Sequence, residues 1–311
     1  PLHVIAFYGR LIEFLRQEFG DDFSVLGEGD YEELEDLDGH YQIVMFCTRG
    51  AASYVSERCQ ITRSFLVDHG PIHTNRAPHG KVDFEVFSSV YLQERYSSEG
   101  FNSRIKSWSG GYFLTDHLRT EPRLERQCLV YLIHNKGWLA NSMEEIPFSD
   151  EATLSYLSGL ADLFEVVHVV SHINAGENFV NRHRDMLPQN VIAVHHGIQF
   201  MDLIARVDAI FTEYSSVLSS CLWDSGVKIF VRYPRFATGP ITMQARYLHE
   251  LMSEAAYPIH GDDLAGVPDA LAKDPLRSAR DQAKERIFDP AISDPYAAIA
   301  RSLREALRLV D

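Results

Sequence analysis

Short apolar runs separated by polar turns recur along the chain, with helical spacing between many of them. Leu2 to Phe7 is the first run, followed by a helical pattern of Leu11, Ile12, Phe14, Leu15 and Phe19. Phe23 to Leu26 is a second strand candidate. Tyr41 to Cys47, Ser64 to Val67, Phe84 to Phe87 and Arg104 to Trp108 read as further strands, with helices at Ala51 to Cys59 and Tyr91 to Tyr96. Strands alternating with helices predict a parallel, doubly wound α/β sheet. Thr115 to Gln127 is charged, contains Pro122 and has little apolar content, so a domain boundary is expected there.

A second alternation follows. Cys128 to His134, Glu165 to Val170, Val191 to Val194, Ala209 to Phe211 and Val227 to Val231 read as strands. Helical patterns cover Glu151 to Phe164, Phe179 to Leu187 and Gln199 to Val207. Another carries Val217, Leu218, Cys221 and Leu222 on one face. After Pro234 the pattern weakens to helices at Thr242 to Ser253 and around Ala265 to Ala272. The expected domains are therefore 1–118 and 127–311. The last helix, 295–309, carries an apolar stripe of Ile299, Leu303 and Leu307 that needs a partner surface, and is expected to cross back to the N-terminal domain.

The chemistry-bearing residues collect at predicted strand ends. His69-Gly70, Ser88-Ser89, Gly110-Gly111 and His172 each follow a strand, as does the run Thr212-Glu213-Tyr214-Ser215-Ser216. In open α/β sheets ligands bind at that edge. Ser215 or Ser216 can cap the following helix, whose free N–H groups suit a phosphate; the plainer reading is an N-cap with a solvated glutamate beside it. Arg232 ends the next strand and is either a cation for phosphate or a surface charge. His195-His196-Gly197 invites a metal reading, but adjacent histidines on an extended segment point apart and no carboxylate stands at ligand spacing, so no metal site is expected.

Composition narrows the partners. The 311 residues carry a formal net charge of −15, which argues against nucleic acid and against a broad grip on an anionic membrane. Much of the acidic excess lies between Asp21 and Asp38 and reads as a solvated loop. No apolar run approaches the roughly 18 residues of a membrane span, and no leader peptide opens the sequence as given. Four scattered cysteines without C-x-x-C spacing suit a reducing compartment. A cytoplasmic location is expected, with at most peripheral contact at the inner face of the membrane.

Two doubly wound halves in succession imply the GT-B architecture, in which a nucleotide-activated donor sits in a cleft between the halves. Taken in order, the motifs also resemble those of the CDP-glycerol glycerophosphotransferases, the teichoic-acid primases and polymerases. LVDHGPI stands where that family has His-Gly-Thr-Pro, and VDFEVFSSVYLQERY where it has a strand ending in Pro-Ser. SGGYFLTD, VVSHIN and IFTEYSSVLSSCLWDSGVKIFVRYP stand for its Gly-Tyr-Pro, Lys-x-His-Pro and Asp-Tyr-Ser-Ser segments. The matches span about residues 65 to 235. Departures are Glu213 for the family aspartate, and Ser171 and Ile173 for the lysine and proline flanking the second histidine. The lysine after His-Gly is also absent, with Thr74, Asn75 and Arg76 nearby instead.

The resemblance implies a transferase that moves glycerol phosphate or a related polyol phosphate from a CDP-linked donor. The acceptor would be a cell-surface polymer or its lipid-linked precursor, and no cofactor is implied. His69 would deprotonate the acceptor hydroxyl, a role suited to a pKa near neutrality. His172 would stabilise charge on the leaving nucleotide. Gly70, Tyr214, Ser215, Ser216 and Arg232 would serve the donor and its phosphates. Glu213 repels phosphate, so it would hold a ribose hydroxyl or orient a histidine. Each histidine has a structural alternative in a chain with 14 of them. Two other functions stay open: a nucleotide-sugar-dependent GT-B glycosyltransferase of capsule or O-antigen synthesis, and a non-catalytic nucleotide-binding module.

Overall fold

The computed structural model describes residues 2–23, 38–47, 49–67, 81–98, 100, 103–114, 122–133, 148–172, 177–195, 198–213, 217–233 and 243–310. The apolar run Leu2 to Phe7 is not a strand; it opens α1, a single helix over Leu2–Phe19. A short apolar run fits either element, and here the helical period wins, because Tyr8, Leu11 and Leu15 continue it as a buried stripe. Of the strand candidate Phe23 to Leu26, Phe23 is irregular and the rest lies outside the described residues.

The next elements are β1 (Ile43–Phe46), α2 (Arg49–Arg58), β2 (Arg63–Val67), β3 (Phe84–Phe87), α3 (Val90–Ser98) and β4 (Lys106–Ser109). The strands pair in parallel in the order β1-β2-β3-β4. Val44, Phe46, Ala52, Val55 and Leu66 pack together between sheet and α2.

The second alternation gives β5 (Leu124–Leu132), α4 (Asp150–Leu163), β6 (Val166–Ser171), α5 (Phe179–Arg182), β7 (Val191–Val194), α6 (Ile198–Ile204), β8 (Val207–Glu213), α7 (Val217–Cys221), β9 (Lys228–Tyr233), α8 (Met243–Ala255), β10 (Tyr257–His260) and α9 (Val267–Lys273). Its six parallel strands lie in the order β10-β9-β8-β5-β6-β7. Strand β5 starts earlier than its hydrophobicity suggests. Its first half is charged and half-exposed, and a register shift against β8 separates that half from the buried run beginning at Cys128. Cys128, Val130, Leu132, Val167, Val169, Ala209, Phe211 and Phe230 form one face of this sheet, packed on Tyr156, Leu157 and Leu160 of α4. Phe211 and Phe230 stack with centroids 4.6 Å apart, an arrangement that adds about 0.5–1.5 kcal/mol to their burial. Burial pushes the Cys221 thiol up to about 12 and Cys128 well above its ordinary value; neither is poised as a nucleophile.

The chain then runs through α10 (Arg277–Ile287) and ends in α11 (Pro295–Val310). Residues Pro1–Pro71, Ala77–Asp116 and Glu285–Asp311 form one compact unit, and Ile72–Arg76 with His117–Lys284 a second. In the first unit, the Ser88 hydroxyl donates to the Ile287 carbonyl at 2.8 Å, and the Ser89 hydroxyl to the Arg286 carbonyl at 2.6 Å. Ser89 Oγ also accepts from the Leu92 amide, capping α3. The serine pair thus satisfies two terminal carbonyls of α10, groups that a helix leaves without partners of its own. Helix α11 buries Ile299, Leu303 and Ala306 and contacts α1, β2, β3 and β4, while Trp108 Nε1 donates to Glu305. Gly110 lets this packing close: a Cβ there would stand 2.2 Å from Val86 Cγ1. Among the described residues, no helix is long and apolar enough to cross a membrane.

Candidate active site

The strand order of the second unit reverses at its centre: β5, β6 and β7 run outward one way, and β8, β9 and β10 the other. The crevice outside the carboxyl ends of β5 and β8 is the topological switch point, where open α/β sheets bind ligands. Three residues singled out from the sequence sit on this edge: His172 just past β6, Glu213 ending β8, and Arg232 next to last in β9. The other five, His69, Gly70, Tyr214, Ser215 and Ser216, lie outside the described residues.

Glu213 is buried, and its Oε2 accepts a hydrogen bond from the Ile133 amide at 2.6 Å, across the switch point. A charge-assisted bond to a buried carboxylate is among the stronger kinds. It corrects the plain reading of a solvated glutamate. The position pairs with Arg232 on β9, so both side chains leave the sheet on the face that packs against α4.

Arg232 is not the surface charge that a lone arginine suggests; it is 1% exposed. Its Nε donates to the Gly261 carbonyl at 2.6 Å and its Nη2 to the Ala152 carbonyl at 3.1 Å. The guanidinium lies 3.5 Å from the Phe148 ring centroid and 4.1 Å from that of Tyr156. Burial lowers its pKa, while Tyr156, Glu213 and Asp262 oppose the shift. Burial likewise raises the Tyr156 phenol. Two of the three guanidinium nitrogens are thus committed to the backbone, and the side chain ties β9 to α4 and to the turn after β10.

His172 is half-buried on the opposite face. Its amide donates to the Leu132 carbonyl at 2.8 Å, and its ring meets Tyr131 edge-on at 6.2 Å. Tyr131 in turn packs on Phe200 of α6 at 5.3 Å, and burial raises its phenol pKa. The edge therefore brings Glu213 and Arg232 to one side of the sheet and His172 to the other, with the end of β5 between. Phe148, Tyr156, Tyr131 and Ile133 escaped the sequence reading. For Tyr156 a signal existed, since it shares the helical stripe of Leu157 and Leu160; for the Ile133 amide none did.

No model of a protein family matches the chain, and no curated protein matches it in sequence. Solved structures match its fold. The wall teichoic acid polymerase TagF superposes with a TM-score of 0.53 at 14% identity, covering 96% of this chain and 85% of that one. A putative UDP-N-acetylglucosamine 2-epimerase from Listeria monocytogenes gives 0.51 at 12% identity, over 83% of this chain and 75% of that one. The spinosyn forosaminyltransferase SpnP gives 0.50 at 13%, over 91% and 80%. The fold is that of the GT-B glycosyltransferases, including the teichoic acid polymerase.

Proposed function

We propose that the protein is a transferase that uses a nucleotide-activated donor, and that it moves glycerol phosphate or another polyol phosphate from a CDP-linked donor. The acceptor is a cell-surface polymer or its lipid-linked precursor, reached from the cytoplasmic side by peripheral contact. The observation that carries this reading is the pair of His172 and Glu213 flanking the end of β5 at the switch point. It is supported by the ordered motifs from LVDHGPI to TEYSS and by a fold shared with a teichoic acid polymerase.

The reaction is an in-line displacement at phosphorus. His69 takes the proton from the acceptor hydroxyl as its oxygen bonds to the phosphorus, and the phosphorus–oxygen bond to CMP breaks. CMP leaves with that oxygen, and His172 donates toward the charge that develops there. Ser215 and Ser216 hold the phosphates with their hydroxyls and backbone amides. Helix α7 has five residues, so its dipole adds little. No metal is invoked, since charge is met by these donors.

The lost cations leave the identity of the donor open to a second reading. Ser171 stands where the resembling family has lysine, and the lysine expected a few residues after His69-Gly70 is absent. A nucleotide-sugar glycosyltransferase on the same fold would attack an anomeric carbon instead of phosphorus. Calorimetric titration with CDP-glycerol, CMP, UDP and a panel of UDP-sugars separates the two. Binding of CDP-glycerol and CMP, with UDP ligands at least tenfold weaker, is the expected result. Preference for UDP ligands selects the glycosyltransferase, and no binding by any of them overturns both readings.

A further inference from the structure

The bonds at the end of β5 share one peptide group. The Leu132 carbonyl accepts from the His172 amide at 2.8 Å, and the Ile133 amide donates to the Glu213 carboxylate at 2.6 Å. A trans peptide points its C=O and N–H in opposite directions. The Leu132–Ile133 peptide therefore forms a straight relay across the central strand, from the backbone of β6 to the carboxylate of β8. Leu132 and Ile133 are buried, as are Ser171 and Glu213 at the flanking strand ends. In such surroundings each bond polarises the next, and the negative charge at one end strengthens both.

We propose that Glu213 is a positioning residue for His172, acting through the Leu132–Ile133 peptide. The carboxylate does not touch the donor in this account. It fixes the direction of that peptide, which sets where β6 ends and so where the His172 ring stands against Tyr131. The identity of the acid follows from the bond: one carboxylate oxygen must reach the neighbouring strand's exit amide across a strand spacing of about 4.8 Å. A serine or threonine at the position could not span it. The functional weight of this relay rests on the reading that His172 serves the leaving nucleotide; the relay itself does not.

The test uses the full chain, labelled for NMR, with Glu213→Gln and Glu213→Ala. Exchange rates of the Ile133 and His172 amides and the His172 ring shifts are recorded, with thermal melting alongside. In the Ala variant both amides are expected to exchange about tenfold faster and the ring signals to move, although the Leu132 carbonyl is untouched. The Gln variant, whose amide oxygen still accepts but without charge, should restore most of the protection and the ring shifts. If Ala does not fold, Gln alone decides: its uncharged, weaker bond should leave His172 exchange faster than in the wild type but well short of tenfold, and an unchanged His172 rate overturns the proposal. A faster Ile133 amide with His172 unchanged overturns the proposal. Calorimetry with CMP adds the functional arm: Glu213→Ala and His172→Ala should weaken binding non-additively. Additive losses would place Glu213 on the ligand instead. If the wild type binds no CMP, the proposed function fails and the exchange data still judge the relay.

Discussion

Arg232 is buried with Nε and Nη2 on two backbone carbonyls and two aromatic faces against its guanidinium, while Nη1 has no hydrogen-bond partner among the described residues. Arg232→Ala would strand the Gly261 and Ala152 carbonyls and open a cavity, so a loss of about 3–5 kcal/mol is expected in urea unfolding. A loss below about 1 kcal/mol would show that the sandwich is dispensable. His168 supplies a pH test. Its ring bonds to Gln127 at 2.8 Å, and burial lowers its pKa. Below about pH 6.5 the unfolded chain takes up a proton that the folded ring resists, so stability falls as the solution is acidified. Between pH 7.5 and 5 the wild type should lose more stability than His168→Gln; parallel pH profiles would contradict this. Strand-end position marked His172, Glu213 and Arg232 in the sequence, but not their faces. Side-chain alternation is legible only when the register with neighbouring strands is known.

Elements with a clean period were legible and those that break their own rules were not. Strands β2, β3 and β7 and helices α4 and α11 fall where apolar spacing puts them. Strand β10 went unseen because Pro258 sits inside it; at the sheet's edge a missing amide costs little. Helix α10 hid behind its polarity, for its inward stripe is Arg280, Ala283 and Ile287. The arginine is held there by the Ser225 carbonyl and Asp274. The ends of β3 and β4 carry their own tests. Gly110→Ala forces a methyl into Val86, for an expected cost of about 1–3 kcal/mol. Adding Val86→Ala should recover part of it; strict additivity would mean that the contact is not the cause. Ser88→Ala with Ser89→Ala should cost about 1–3 kcal/mol and raise amide exchange at the end of α10. Unchanged exchange there would show that the serines do not hold it.

Across the whole molecule, two parallel sheets and the GT-B fold were foreseeable from the alternation of strands and helices, whereas the donor is not a property of the fold. Proteins of this fold with different names superpose comparably well on the chain, so chemistry must be read from the strand ends. The most direct measurement is CMP release from CDP-glycerol, with a lipid-linked polyol-phosphate acceptor present to take the glycerol phosphate, by the wild type, His69→Ala, and Ser215→Ala with Ser216→Ala, each also titrated with CMP. The wild type should release CMP. His69→Ala should lower turnover by about 10²–10⁴ with CMP binding retained, because the base contacts the acceptor. The serine pair should instead weaken binding by roughly 1–3 kcal/mol. Full turnover by His69→Ala, with any donor that the wild type uses, would make that histidine structural and contradict the mechanism.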